Sequence, residues 1–217
     1  MISFVYFDVG GVVIDDFYGN NRWSELKQEL GINAANQAAF EKIWARYALE
    51  LCIDRDVETL LPILSKELGL QFPKDYSLLN GFVSRFYANP GIAPVIVGLK
   101  RKTKIGLLTD MYPGMFTAIE RKGILPDIKW DVTVDSSIEL LQKPDRKLFK
   151  LAEVKAGAPT EEILFIDNGP EHVKEAQAFG WQTFLYDSSN HPAATQQLNK
   201  FLQSQEFGTQ APTASRI

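Results

Sequence analysis

Residues 2–12 read ISFVYFDVGGV, and this stretch decides the fold of the chain. Its first part, Ile2–Phe7, is rich in β-branched and aromatic residues, which is typical of a strand buried on both faces. The apolar run ends at Asp8, and the pair Gly10-Gly11 gives the backbone the freedom to leave the strand in a tight turn. In an open parallel sheet, ligands bind at the carboxyl ends of the strands, so Asp8 lies where a functional residue is expected.

Four more strands are predicted from short apolar runs bounded by turn residues. They are Lys104–Leu108, Trp130–Val134, Ile163–Ile166 and Thr183–Tyr186. Helix-sized segments lie between the later ones: Pro113–Lys122, Asp145–Ala156 and Pro170–Phe179. Strands that alternate with helices predict an α/β fold with a Rossmann-like parallel sheet core and helices on both faces.

The stretch from about residue 20 to residue 95 is different, because it carries no strand signal and its apolar residues recur at helical spacing. One stripe consists of Phe40, Ile43, Trp44, Tyr47 and Leu51. We therefore expect an inserted α-helical cap at 19–91 and a core domain formed by 1–18 and 92–203. The final residues, 204–217, lack periodicity and are expected to form a flexible tail.

Composition limits the function. The chain has 217 residues, a net charge of −4 and a pI near 5.3, so it offers no basic field for nucleic acid or anionic membranes. Its single cysteine, Cys52, rules out an intramolecular disulfide and fits a reducing compartment. The apolar N-terminal run has no positive flank and is interrupted by Asp8, so we expect neither a signal peptide nor a membrane span, and a cytoplasmic location. The sequence leaves the oligomeric state open.

Polar residues stand at the ends of several predicted strands. Thr109 and Asp110 follow the second strand, and Asp167 and Asn168 end the fourth, while Lys143 precedes the helix after the third. Two carboxylates that meet a lysine and a hydroxyl at one crevice would hold a divalent cation and a tetrahedral oxyanion together. Each residue taken singly is more often a turn or cap residue. Their joint occurrence in this order indicates a site.

Four motifs carry a resemblance to a known family. They are Phe-Asp-Val-Gly-Gly-Val-Val at 7–13, Leu-Leu-Thr at 107–109, Gln-Lys-Pro-Asp-Arg-Lys-Leu-Phe at 142–149 and Phe-Ile-Asp-Asn at 165–168. With them the chain resembles the haloacid dehalogenase-like hydrolases that have a helical cap inserted after the first strand.

The resemblance implies roles for individual residues. Asp8 would attack phosphorus and form an aspartyl-phosphate that water then hydrolyses. Thr109 would hydrogen-bond the transferring phosphoryl group, and Lys143 would neutralise that group. A cofactor Mg²⁺ would bind Asp8, the main-chain carbonyl of Gly10 and Asp167. The remaining candidates are Asn168 for the metal and Gly11, Asp110 and Arg22 for the phosphate or substrate.

Three positions depart from the family pattern. Gly10 stands where many phosphatases of the family have a second Asp that protonates the leaving group, a contribution of about 10²–10⁴-fold. Asp110 replaces a usual Asn, and Asn168 replaces a usual Asp. We hypothesise that Asp110 turns away from the phosphate or restores part of the missing charge near the metal.

The sequence thus predicts a Mg²⁺-dependent phosphatase of a small phosphorylated metabolite, a sugar phosphate or similar compound, with the cap as a lid. One alternative is hydrolytic dehalogenation of a 2-haloacid, which also uses an attacking Asp but needs no metal. The other is a weakly active or inactive relative that serves as a binding module, an alternative motivated by Gly10, Asp110 and Asn168.

Overall fold

The computed structural model describes residues 1–208 and contains a five-stranded parallel sheet. The strands in chain order are β1 Phe4–Phe7, β2 Ile14–Asp15, β3 Tyr87–Ala88, β4 Lys104–Thr109, β5 Val132–Asp135, β6 Ile163–Asp167 and β7 Gln182–Leu185. The large sheet has the order β5-β4-β1-β6-β7, and every neighbouring pair in it is parallel. The predicted α/β fold class is confirmed.

Helices cover both faces of this sheet. They are α1 Arg22–Glu29, α2 Gln37–Leu51, α3 Leu60–Leu68, α4 Leu78–Ser84, α5 Ile92–Lys100, α6 Met115–Lys122, α7 Ser136–Glu139, α8 Arg146–Ala156, α9 Pro170–Phe179 and α10 His191–Gln203. The start of α8 has a local cause, since the carboxylate of Asp145 accepts a 2.8 Å hydrogen bond from the Lys147 N–H. Helix α9 begins at Pro170, whose missing N–H costs nothing in a first turn.

The core lies on both sides of the sheet because successive strand residues point to opposite faces. In β1, Val5 and Phe7 pack with apolar residues of α5, α6 and α10, whereas Phe4 and Tyr6 pack with those of α8 and α9. All four side chains are fully buried. This double burial explains why the strands read as apolar runs rather than as alternating patterns.

Helices α1 to α4 form the insert, which packs on the core domain through aromatic rings. The ring of Phe82 in α4 lies 5.7 Å from Trp23 in α1 and 5.3 Å from Tyr112, which follows β4. Phe17, which lies between β2 and α1, packs against Phe82 at 5.5 Å. The insert therefore sits over the carboxyl end of β4.

Two short strands join the insert to the core domain. Ile14–Asp15 pairs antiparallel with Tyr87–Ala88, so the outgoing and returning chains form a ribbon. The sequence expectation of no strand between residues 20 and 95 is wrong at Tyr87–Ala88. A strand of two residues carries no readable pattern, and this one depends on a partner more than 70 residues away in the chain.

The beginning of the predicted tail is paired with the N-terminus. The Ile2 N–H donates to the Glu206 carbonyl at 2.6 Å, and the Gly208 N–H donates to the Ile2 carbonyl at 2.8 Å. Residues 206–208 therefore differ from the expected flexible tail, and residues 209–217 lie outside the described part. Within residues 1–208, no helix has the length and apolar character needed to cross a membrane.

Candidate active site

The candidate site lies where three neighbouring strands end. Asp8 directly follows β1, Thr109 is the last residue of β4, and Asp167 is the last residue of β6. Because β1 lies between β4 and β6, these side chains meet at one edge of the sheet. The site is thus assembled from segments separated by about a hundred and by about sixty residues of chain.

A single lysine joins the two strand-end carboxylates. The Lys143 Nζ lies 3.0 Å from Oδ1 of Asp8 and 2.7 Å from Oδ2 of Asp167, and all three side chains are buried. The main-chain N–H of Lys143 donates a 3.1 Å hydrogen bond to Oδ1 of Asp110. Two carboxylates thus contact the ammonium group and a third binds the main chain of the same lysine, so the buried cluster has an excess of negative charge.

This excess charge sets the protonation behaviour of the cluster. Burial raises the pKa of Asp8 to about 7, and the nearby Asp167 and Asp110 carboxylates add to the rise while Lys143 opposes it. Burial also acts to raise the pKa of Asp167, but Lys143 and His172 outweigh it and hold that pKa at about 2. Burial acts to lower the pKa of Lys143, but Asp167 and Asp8 outweigh it, so that the pKa is raised and the lysine stays charged. Of the two carboxylates that contact Lys143, Asp8 is the one whose pKa is raised.

The two oxygens of Asp8 have different environments. Oδ1 accepts a 2.8 Å hydrogen bond from the Val9 N–H and is also the atom that faces Lys143. Within residues 1–208, no hydrogen bond to Oδ2 is found. Two donors thus fix the orientation of the carboxylate through one oxygen and leave the other for chemistry.

The hydroxyl group of Thr109 is buried and has no hydrogen-bond partner among the described residues. A buried hydroxyl without a hydrogen-bond partner costs free energy. This cost is removed if an oxygen of a bound ligand accepts a hydrogen bond from the hydroxyl of Thr109. This observation is compatible with the sequence expectation that Thr109 contacts a phosphoryl group.

Gly11 and Asn168 are packed against each other. Gly11 has φ +73°, and a Cβ atom there would lie 2.2 Å from Nδ2 of Asn168 and 2.7 Å from Oγ of Ser188. The Ser188 hydroxyl donates a 2.6 Å hydrogen bond to the Gly11 carbonyl. The glycine turn is therefore held in place by residues that follow β6 and β7, and only glycine fits there.

The guanidinium of Arg22 is engaged in the β2–β3 ribbon. Its guanidinium donates to the main-chain carbonyls of Asp15, Asp16 and Arg85, forms an ion pair with the Asp15 carboxylate, and lies 4.6 Å from the ring of Tyr87. These contacts join the two strands of the β2–β3 ribbon. They hold the guanidinium at the chain segments that join the insert to the core domain, and a contact between Arg22 and the substrate stays a prediction.

Two residues of the site were missed by sequence reasoning. The first is His172, whose Nδ1 lies 3.2 Å from Oδ1 of Asp167. Its position in the first turn of the helix after β6 was the one available signal. The other missed residue is Asp16, whose carboxylate lies beside Gly10, and no local pattern indicates this contact.

A cavity of about 170 Å³ lies between the glycine turn and the insert. Its polar lining comes from Gly10, Asp16, Asp110 and Tyr112. The rest of the lining is apolar: Ile14, Phe17, Cys52, Phe82, Phe86, Met111 and Met115. Burial raises the pKa of the Cys52 thiol to about 12, which keeps it a neutral, small apolar group.

The carboxylates of the site could bind Mg²⁺ together with water and a substrate phosphate. Among residues 1–208, no three His, Cys, Asp or Glu side chains are arranged to hold a metal by themselves. Mg²⁺ does not require such a cage, because it is commonly bound by one or two carboxylates together with water and substrate phosphate. Asp8 and Asp167 supply two hard oxygen ligands, and their cluster carries more negative than positive charge even with Lys143 included. The chemistry of the donor set is therefore compatible with Mg²⁺.

Comparisons with known proteins find structural relatives. No protein-family model matches the chain, and no curated protein matches it by sequence. A HAD-family enzyme from Bacteroides thetaiotaomicron, solved with magnesium and inorganic phosphate, aligns over 88% of this chain and 96% of its own, with a TM-score of 0.71 and 17% identity. A predicted HAD-like hydrolase from Porphyromonas gingivalis aligns over 94% and 100%, with a TM-score of 0.68 and 23% identity.

The L-2-haloacid dehalogenase from Xanthobacter autotrophicus is also similar. It aligns over 98% of this chain and 85% of its own, with a TM-score of 0.63 and 21% identity. At these identities the similarity establishes the fold and leaves the reaction open. The chain has the fold of the haloacid dehalogenase-like enzymes.

Proposed function

We propose that this chain is a Mg²⁺-dependent phosphatase that hydrolyses a small phosphate monoester through an aspartyl-phosphate on Asp8. The observation that carries the proposal is the buried Asp8–Lys143–Asp167 arrangement at the carboxyl ends of β1 and β6. A nucleophilic carboxylate beside a fixed cation is the combination that phosphoryl transfer requires. The phosphate-bound structural relative supports the same reaction class.

The chain's own residues have distinct tasks in this proposal. Oδ2 of Asp8 attacks phosphorus, while Oδ1 stays bound to the Val9 N–H and to Lys143. The ammonium of Lys143 neutralises the phosphoryl oxygens, and the hydroxyl of Thr109 donates to one of them. Asp167 keeps Lys143 in place through its 2.7 Å contact.

Asp8, Asp167, the carbonyl of Gly10 and the amide oxygen of Asn168 are the proposed ligands of Mg²⁺. The ion supplies Lewis-acid neutralisation of charge on the phosphoryl group. Asp110 is proposed to act indirectly, because its Oδ1 accepts from the main chain of Lys143 and so fixes the segment that carries the lysine. Whether it also compensates charge at the metal stays a prediction.

The cavity lining suggests the substrate class. Seven of its eleven residues are apolar, and a sugar ring would leave hydroxyl groups without partners there. We therefore propose a compact phosphate monoester with few hydroxyl groups in its leaving group, ahead of the sugar phosphates that the sequence suggested. The net charge and the single cysteine remain the basis for proposing a cytoplasmic enzyme that does not bind nucleic acid.

The second candidate is a 2-haloacid dehalogenase, which the apolar cavity and the Xanthobacter relative favour. A haloacid carries a carboxylate, and a cation is expected to bind it. No lysine or arginine lines the cavity in the described part of the chain, and Arg22 is held in the ribbon. We therefore rank dehalogenation second and a non-catalytic binding module third.

One set of assays separates the three candidates. Hydrolysis of 4-nitrophenyl phosphate is measured with Mg²⁺, with chelator and with Asp8→Asn, followed by a panel of phosphorylated metabolites and by 2-chloropropionate. Turnover that requires Mg²⁺ and is abolished by the Asp8 change supports the phosphatase. Chloride release that is indifferent to chelator supports the dehalogenase, and silence in both assays from a folded protein supports the binding module.

A further inference from the structure

The proposed reaction needs a proton donor that the described roles do not provide. When the bond from phosphorus to the leaving group breaks, the leaving oxygen gains negative charge and needs a proton unless it is a weak base. Gly10, two residues after the nucleophile, has no side chain to supply it. Another acid near this position is required.

Most carboxyl groups near the site are already engaged. Asp8 is the nucleophile, and Asp167 accepts from Lys143 through Oδ2 and from the Gly169 N–H through Oδ1, at 2.7 and 2.6 Å. Oδ1 of Asp110 accepts from the main chain of Lys143, and no described atom of Asp110 lies within 4 Å of a Cβ atom built on Gly10. Asp16 is the cavity-lining carboxyl group that none of these contacts involves.

The carboxyl group of Asp16 occupies the space in which a side chain of residue 10 would begin. A Cβ atom built on Gly10 would lie 2.8 Å from Oδ2 of Asp16, closer than a Cβ atom tolerates. Asp16 Oδ1 accepts a 3.0 Å hydrogen bond from the Tyr18 N–H, and no hydrogen bond to Oδ2 is found within residues 1–208. One oxygen thus fixes the carboxyl group, and the other lies in the cavity beside Gly10.

The backbone around Asp16 is also fixed. The guanidinium of Arg22 donates to the Asp16 carbonyl at 2.9 Å, and the side-chain amide of Asn20 donates to the same carbonyl at 2.8 Å. The preceding residue, Asp15, belongs to the β2–β3 ribbon. Asp16 is therefore presented by an ordered segment, which proton transfer at a defined distance requires.

We propose that Asp16 is the catalytic acid and base of this chain. It lies in the segment between β2 and α1, and its carboxyl group takes the place of a side chain at residue 10. The inference rests on the proposed phosphatase function. In the first step, Oδ2 of Asp8 bonds to phosphorus, the bond from phosphorus to the leaving oxygen breaks, and the Asp16 carboxyl group gives its proton to that oxygen. In the second step, the Asp16 carboxylate takes a proton from water while the water oxygen bonds to phosphorus. The bond from phosphorus to Asp8 then breaks and releases inorganic phosphate.

The same geometry explains why residue 10 is a glycine. Any side chain there would collide with the Asp16 carboxyl group, so the two positions exclude each other in space. The collision is with the end of a flexible side chain, and it is removed when Asp16 is shortened. This reciprocity makes the proposal testable by moving the carboxyl group from one position to the other.

The experiment compares two aryl phosphates in the presence of Mg²⁺: 4-nitrophenyl phosphate, whose leaving group needs little protonation, and phenyl phosphate, whose leaving group needs much more. Asp16→Asn is expected to lower kcat/KM for phenyl phosphate by about 10²-fold or more, and that for 4-nitrophenyl phosphate by less than about tenfold. The double variant Gly10→Asp with Asp16→Ala is expected to recover most of the loss on phenyl phosphate relative to Asp16→Ala alone. Asp187→Asn, which removes an exposed carboxylate after β7, is the control and is expected to change neither rate.

The outcomes separate this inference from the proposed function. Equal losses on both substrates, with no recovery in the double variant, would overturn the role of Asp16 and leave the phosphatase intact. Absence of phosphate release from either substrate by the unchanged chain would overturn both. Circular dichroism of each variant establishes that a loss of rate is not a loss of fold, and Asp16→Ala serves as a second variant if Asp16→Asn does not fold.

Discussion

Replacing Asp8, the proposed nucleophile, is expected to stabilise the metal-free protein at neutral and alkaline pH. Burial and two neighbouring carboxylates raise the pKa of Asp8 from 3.8 to about 7, so the fold favours the protonated form. The ionised group therefore destabilises the fold, and this penalty grows as the pH rises from the unfolded pKa to the folded one. Asp8→Asn removes the charge but keeps an Oδ1 acceptor for the Val9 N–H.

The magnitude follows from the pKa difference. A difference of about three pKa units corresponds to a maximum of about 4 kcal/mol, since each unit is worth about 1.4 kcal/mol. For a chain of this size, that is a rise in Tm of roughly 8–16 °C. At pH 8 the variant is expected to have the larger free energy of unfolding, and the difference is expected to shrink toward zero as the pH falls to about 4.

Urea unfolding followed by tryptophan fluorescence between pH 4 and pH 8, with chelator present, measures this difference. Asp127→Asn removes an exposed carboxylate and is the matched control, with an expected change within about 0.5 kcal/mol at every pH. Addition of Mg²⁺ is expected to stabilise the unchanged chain more than Asp8→Asn, because ligand binding to the folded state adds to its stability. A variant less stable than the unchanged chain at pH 8, or a difference that does not vary with pH, would refute the electrostatic reasoning.

Three further substitutions test the packing and charge of the site. Lys143→Met leaves Asp8 and Asp167 without their shared cation, so turnover is expected to be lost and the free energy of unfolding to fall by about 3–5 kcal/mol at pH 8 in urea titrations. Phe82→Ala opens the aromatic contact between insert and core domain and is expected to cost about 3–5 kcal/mol, against less than about 0.5 kcal/mol for the exposed Leu49→Ala. Gly11→Ala is expected to destabilise more than Gly69→Ala, because both have positive φ but only a Cβ at Gly11 meets neighbouring atoms.

Each of these results has a contrary outcome. Retained turnover in Lys143→Met would remove the lysine from the proposed mechanism. Equal unfolding free energies for Phe82→Ala and Leu49→Ala would mean that the insert does not depend on the aromatic contact. Equal losses for Gly11→Ala and Gly69→Ala would attribute the whole cost to backbone conformation and none to the contact with Asn168.

The sequence by itself determined the sheet and most of the residues at its edge. A parallel strand buried on both faces must be apolar throughout, so the five strands of the large sheet were visible as local runs, with bounds that shifted by one or two residues. Because strand ends in such a sheet converge, the positions of Asp8, Thr109 and Asp167 could also be predicted. Their chemical roles remain proposals.

Only the tertiary structure decided which side chains meet across long stretches of chain. The β2–β3 ribbon, the engagement of Arg22 by the linkers and the contact of Asp16 with Gly10 depend on pairings that no local pattern encodes. Sequence periodicity reports the face that a residue buries, whereas a contact between linkers depends on how the insert leaves and rejoins the sheet. For this reason the position of the proposed nucleophile could be predicted from the sequence, and that of the acid proposed to assist it could not.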